Sequence, residues 1–282
     1  MALYPQLPII LNFKKVMKKL IYIIFILIPI FACEDVINVE VPSDQPRLIV
    51  DGLIKVFSNE TTTGVTIKTN LTSSFFEEVV PVSVTNVQLS NTIGTLQIDL
   101  TESNKGIYTA NVATDLLKEA DVILTIAYNN EIYEANAKFI SAVPIDNLIL
   151  GEGTLFGQDE TEIIITYTDN PAIENYYLFD FDFNEYLVSE DTFYKGEQFE
   201  FSYFYDTELQ PGQTLQISLL GVDDVFYNYM NQVIVQSGGN QGPFQTPAGT
   251  VRGNIVNTTN INHYALGFFA ISETYTQSII ID

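Results

Sequence analysis

The stretch DVILTIAYNNEIYEANAKF, Asp121–Phe139, decides the fold. It reads as a β-hairpin with Asn129-Asn130 at its tip, because asparagine tolerates the positive φ that a tight primed turn demands. Upstream, RLIVDGLIKV (Arg47–Val56) and GVTIKTNL (Gly64–Leu71) are β-prone runs joined by the polar turn SNETTTG. VTNVQLSN (Val84–Asn91) and GTLQIDL (Gly94–Leu100) follow across Thr92-Ile93. In GIYTANV, Ile107, Thr109 and Asn111 alternate with Tyr108, Ala110 and Val112. Strands at about eight- to twelve-residue spacing predict an all-β sandwich over residues 45–142.

Downstream, SAVPIDNLIL breaks this rhythm at Pro144, so a second β-rich domain is expected over 143–282. TEIIITYTDNP (Thr161–Pro171) reads as a strand and its turn. NYYLFDFDFNEY (Asn175–Tyr186) alternates, with Tyr177, Phe179, Phe181 and Phe183 on one face and Asp180, Asp182 and Asn184 on the other. QFEFSYFY and QTLQISLLGVD extend the sheet, and His263–Ile281 is a long terminal β run with an expected bend near Ser272-Glu273. One segment has helical period. Phe226, Tyr229, Met230, Val233 and Ile234 recur at helical spacing, Asp223 or Asp224 can cap the start, and Gly238 can close the end. This predicts a short helix near 224–236. Its apolar stripe reads first as packing on its own sheet and second as a partner-docking face.

The N-terminus says where the chain goes. Lys18 and Lys19 precede an apolar run, Leu20–Phe31, that is shorter than the ~20 residues of a comfortable membrane span. Ala32 and Cys33 follow, in the grammar of a secretory signal. Ile30-Phe31-Ala32-Cys33 resembles a bacterial lipobox, which predicts cleavage before Cys33 and its lipidation; the competing reading is an uncut signal anchor with a free thiol. Residues 1–32 are thus expected as signal, with Met17 the true start, and 33–44 as a lipidated tether. Glu34 and Asp35 read either as an export signal to the outer face of the outer membrane or as solvated linker.

Composition narrows the chemistry. The chain carries 12 basic and 35 acidic residues; losing residues 1–32 would remove four lysines and no acid, leaving a net charge of −27. Such a balance excludes a basic footprint for nucleic acid. With one cysteine, no internal disulfide can form. His263 is the only histidine, so multi-histidine metal sites are excluded within one chain; an acylated Cys33 leaves no Cys–His pair, and no nucleophile-elbow motif accompanies His263. Asp180, Asp182 and Asn184 have the first spacings of a calcium loop, but Glu185 stands where that loop needs glycine. The competing reading there is a solvated strand face. No cofactor and no enzymatic activity are expected.

Six stretches in order carry a family resemblance: CEDVINVEVP…RLIVDGLI, VPIDNLIL, NPAIENYYLF, LLGVDDVFYNYMNQV, GPFQTPAGTVRGNI and ALGFFAIS. Over most of residues 33–272 the chain resembles the Bacteroidota outer-membrane lipoproteins classed as a domain of unknown function, often encoded beside TonB-dependent receptors. The resemblance implies an Ig-like or transthyretin-like first domain, a second β-rich domain with one helix, and no established chemistry. The loop NIVNTTNINHYALGFF is more polar and less glycine-rich than that family leads one to expect. Two functions follow as expectations. One is a surface-exposed, lipid-anchored accessory subunit of a TonB-dependent receptor, with an outer-membrane β-barrel as partner. The other is a stand-alone lipoprotein that captures a peptide or glycan.

Cys33→Ser is expected to leave the protein as uncleaved precursor or in the soluble fraction, still folded, because Cys33 lies outside every β pattern. Mass spectrometry that finds an unmodified mature N-terminus at another residue refutes lipidation.

Overall fold

Short β-branched and aromatic runs, cut by Asn, Gly and Pro, dictate strands throughout. A computed structural model describes residues 45–73, 78–154, 160–205, 209–238 and 249–281. The first half contains β1 (Leu48–Val56), β2 (Thr62–Leu71), β3 (Val80–Pro81), β4 (Asn86–Asn91), β5 (Gln97–Asp99), β6 (Thr101–Asn104) and β7 (Ile107–Ala113). A short helix α1 (Thr114–Lys118) then leads to β8 (Val122–Tyr128), β9 (Glu131–Ala137) and β10 (Phe139–Ile140). The second half contains β11 (Ile145–Leu150), β12 (Thr161–Thr168), β13 (Tyr176–Asp180), β14 (Tyr186–Glu190), a 3-10 turn (Asp191–Phe193), β15 (Gln198–Tyr205) and β16 (Thr214–Val222). Helix α2 (Asp224–Gln236), β17 (Val256–Asn257) and β18 (Leu266–Ile280) complete it. The protein is mainly β, as the strand spacing predicts.

The opening hairpin forms as read. β8 and β9 pair antiparallel, and Asn129 (φ 51°) and Asn130 (φ 62°) occupy its tip. A five-stranded sheet, β17-β9-β8-β4-β5, faces β18, β1, β2 and β7 across a core that includes Val50, Ile67, Leu89, Leu124, Ile126 and Phe269. In the second half, β14-β13-β16-β18 face the sheet β11-β12-β15. Tyr177 and Phe179 from β13, Leu215, Ile217 and Leu219 from β16, and Ile163, Ile165 and Tyr167 from β12 fill that core.

One strand joins the two halves. From Leu266 to Glu273, β18 pairs in parallel with β1; from Thr274 to Ile280 it pairs antiparallel with β16. The result is a continuous ten-stranded sheet, and contacts gather residues 44–282 into one unit. The second domain expected over 143–282 begins where the chain passes from β10 to β11, but β17 and Leu266–Glu273 of β18 return to the first sandwich and place Ile255, Ala265, Phe269 and Ile271 in its core, because their partners β9 and β1 lie there. The bend expected near Ser272-Glu273 is instead an unbroken strand that changes partner there.

Helix α2 covers the outer face of this shared sheet. The Asp223 carboxylate accepts from the Phe226 N–H at 2.8 Å, and Gly238 follows the C-cap with φ 98°. Phe226 and Tyr229 meet Phe268 with ring centroids 4.8 and 5.0 Å apart, above Leu178 and Leu220. Phe226, Tyr229 and Met230 of the apolar stripe therefore pack on the helix's own sheet.

The run Asn175–Tyr186 departs from its expected single strand. β13 stops at Asp180, and Asp182, Phe183 and Asn184 all take positive φ (67°, 50° and 63°) before β14 returns. The Phe181 N–H and Glu185 N–H close this turn on the Glu185 and Asp182 carbonyls, each at 2.9 Å. Asp and Asn enter the left-handed region more readily than most residues, so local turn chemistry overrides the alternation. Phe183 is consequently exposed instead of joining Tyr177, Phe179 and Phe181 in the core.

Gly221 on β16 lies against the segment that links the halves: a Cβ there would sit 2.0 Å from the Ser141 carbonyl oxygen. Gly221→Ala should cost about 1–3 kcal/mol through forced backbone movement. Gly64→Ala, whose Cβ would meet nothing closer than 3.8 Å, should be neutral or slightly stabilising. Urea denaturation of both variants checks the contrast.

Candidate functional site

The loops at one end of the second sandwich are held by buried carboxylates. Asp169, just after β12, accepts from the Tyr177 hydroxyl at 2.6 Å and from the Gly196 N–H at 2.8 Å. Asp191 accepts from the Asn175 N–H at 2.9 Å. The Tyr167 hydroxyl donates to that of Tyr194 at 2.8 Å, and Tyr194 also meets Ser189 at 2.6 Å. Burial, then the hydrogen bond to Asp169, pushes the Tyr177 phenol far above its ordinary range; burial does the same to Tyr167. Both phenols stay neutral and serve as donors. The buried Asn175 Oδ1 has no hydrogen-bond partner.

This network fixes two adjacent loops, residues 169–175 and 191–197, and they carry apolar side chains outward. Phe193 is 94% exposed and Ile173 is 47% exposed. Glu174, Glu190 and Glu197 are exposed on or beside the same loops, with Lys195 the one basic residue among them. An aromatic ring held out on a braced turn loses little freedom when a partner covers it, which is how interface anchors behave.

A second constellation lies in the loop before β18. Buried Asn257 donates to Glu131 at 2.8 Å and to the His263 carbonyl at 3.1 Å, and its side-chain oxygen accepts from the Thr259 and Asn260 N–H groups. His263 Nδ1 lies 2.7 Å from Glu131 Oε1. That hydrogen bond is the main cause that lowers the Glu131 carboxyl, while burial and then Glu131 push Tyr133 up to about 12. Next to His263, Tyr264 is sandwiched: the Arg47 guanidinium lies 3.7 Å from its ring centroid and that of Arg252 lies 3.6 Å from it. These are the only arginines in the chain. At roughly 7 Å apart, two such charges repel by about 0.6 kcal/mol in bulk water. Each exposed cation–π contact returns about 0.5–1 kcal/mol.

The residues singled out from sequence are dispersed. Cys33, Glu34 and Asp35 lie outside the described residues, as does most of the Gly/Pro loop GNQGPFQTPAG. Asp180, Asp182 and Asn184 share the β13–β14 turn, where the two carboxylates are engaged locally. Asp180 pairs with Lys55 at 2.8 Å and accepts from the Asp182 N–H at 3.1 Å; Asp182 accepts from the Phe183 N–H at 3.1 Å. Among the described residues, no group of three or more His, Cys, Asp or Glu side chains is arranged to hold a metal. Sequence reading missed Phe193 and the arginine stack. The first has no local signal, since an aromatic in a β-rich chain reads as core. The second had one, in the rarity of arginine.

A family model described as "Domain of unknown function (DUF4249)" matches residues 34–278, and the chain belongs to that family. No curated protein matches. Among solved structures, the FN1-FN3 domains of chicken CNTN1 are similar at 12% identity and a TM-score of 0.17, over 62% of this chain and 61% of that one.

Asp169→Ala removes the acceptor of one buried and one half-buried donor and should cost about 2–4 kcal/mol. Phe193→Ser should change stability by less than about 0.5 kcal/mol, because the ring is exposed. Urea denaturation of the two variants distinguishes the brace from the side chain it presents.

Proposed function

We propose that this chain is a lipid-anchored protein on the outer face of a Bacteroidota outer membrane. It serves there as a non-catalytic accessory subunit of a TonB-dependent receptor or transporter. The observation that carries the reading is Phe193, a bare aromatic on a turn braced by buried Asp169 and Asp191. Burying such a side chain against a partner is worth about 1.5–3 kcal/mol. Rigid presentation removes much of the ordering cost. The lipobox-like Ile30–Cys33 supports the anchor, and Glu34-Asp35 supports the outward-facing location. The exposed glutamates around Phe193 suit a partner whose apolar socket has a basic rim.

Isolation of the protein from detergent-solubilised outer membrane tests this. A β-barrel protein should accompany the wild type, accompany Phe193→Ser at least about tenfold less, and dissociate progressively as salt rises. Recovery of the chain alone rejects the accessory role. Turnover of a peptide or glycan, abolished by one carboxylate substitution, rejects the non-catalytic one.

A further inference from the structure

The arginine stack and the anchor together point to a second surface. Gln45 is the first described residue, so Arg47 stands where the chain enters the fold. Cys33 lies fourteen residues before Arg47, and that length reaches at most roughly 50 Å when fully extended. An acylated Cys33 would keep this corner of the molecule within reach of the bilayer. Here, in a strongly acidic chain, both arginines and the only histidine are gathered. The loop that carries His263 and Tyr264 is fixed by Asn257, which bonds Glu131 and the His263 carbonyl.

We propose that Arg252, stacked on Tyr264 opposite Arg47, is a phosphate-binding prong for anionic lipid headgroups at the membrane surface. Arg252 is exposed, and a guanidinium stacked by its face keeps its N–H edge free to fork onto a phosphate. Arg47 serves to hold the ring: its own guanidinium donates to the Asn262 carbonyl at 3.4 Å while stacking on the other face. The occupant is a membrane phosphate because the corner lies at the mouth of the tether, where anionic headgroups attract a basic side chain although the acidic remainder of the surface is repelled. The location rests on the anchored reading proposed above; the phosphate chemistry does not.

The test mixes the purified, processed protein with vesicles of phosphatidylethanolamine alone, or of phosphatidylethanolamine with phosphatidylglycerol, and reads flotation and amide hydrogen exchange. The anionic vesicles should slow exchange in residues 257–264 by about tenfold, relative to neutral ones. Arg252→Gln should lose that protection with an unchanged melting temperature, and Arg252→Lys should retain part of it. Flotation with both vesicles but equal exchange overturns the headgroup site and leaves the anchor standing. Flotation with anionic vesicles only, lost in Arg252→Gln, rejects the anchor and leaves the headgroup site standing. Flotation with neither overturns both. Equal protection by inorganic phosphate without anionic lipid assigns the prong to free phosphate and overturns the lipid assignment, as does a wild-type response in Arg252→Gln.

Discussion

The structure depends on how β18 satisfies its backbone. A buried strand must find hydrogen-bond partners along its length. β18 does so with β1 up to Glu273 and with β16 from Thr274 onward. The two cores and the helix layer all use this strand: Phe269 and Ile271 enter the first core, Ile279 the second, and Phe268 and Ala270 lie under α2. At the change of partner, the Glu273 carboxylate accepts from the Ala142 N–H at 2.9 Å and from the Ser58 hydroxyl, tying the segment between the halves to the β1–β2 turn. Because β1 and β18 come from opposite ends of the fold, the first sandwich cannot close until the last strand is available. That topology makes for slow, non-local folding.

Elements with a strong local signal were legible in the sequence. Asn129-Asn130 marks its hairpin, and Asp223 and Gly238 bracket α2, because turn and cap chemistry act over a few residues. The shared strand was not legible. Nothing in HYALGFFAISETYTQSIII records that its two halves bond to different strands, since partner choice depends on distant residues. The Asp182–Asn184 turn was hidden by an alternation that satisfies strand and hairpin equally well up to Phe181. Of the candidate surfaces, the brace beneath Phe193 needs Asp169 and Gly196 to meet across twenty-seven residues, a relation that no motif announces.

Composition explains how so acidic a fold holds its carboxylates. With few cations available, tyrosine takes the donor role. Tyr177 donates to Asp169, Tyr133 to Glu131, Tyr203 to Glu185 and Tyr275 to Glu273. A phenol brings a large apolar body and one polar tip, so the same side chain fills a core and satisfies an acid at its rim. The pairing also reinforces itself: burial first, and then the neighbouring carboxylate, raises the phenol pKa of Tyr177 and Tyr133 and keeps the proton in place.

This choice separates two kinds of electrostatics in one molecule. Hydrogen bonds from neutral phenols to partly buried carboxylates need no counter-charge, so added salt screens them little. Surface acids and the two arginines face water, where salt screens them strongly. A protein built in this way keeps its loops rigid over a wide range of ionic strength while its surface attractions remain tunable. The same division applies at the Phe193 platform. Asp169 and Asp191 act internally as acceptors that fix the loops, and Glu174, Glu190 and Glu197 act externally as charge. Carboxylates thus serve as brace where they are buried and as lure where they are exposed; Glu174 accepts from the Tyr176 hydroxyl at 3.3 Å and still faces water.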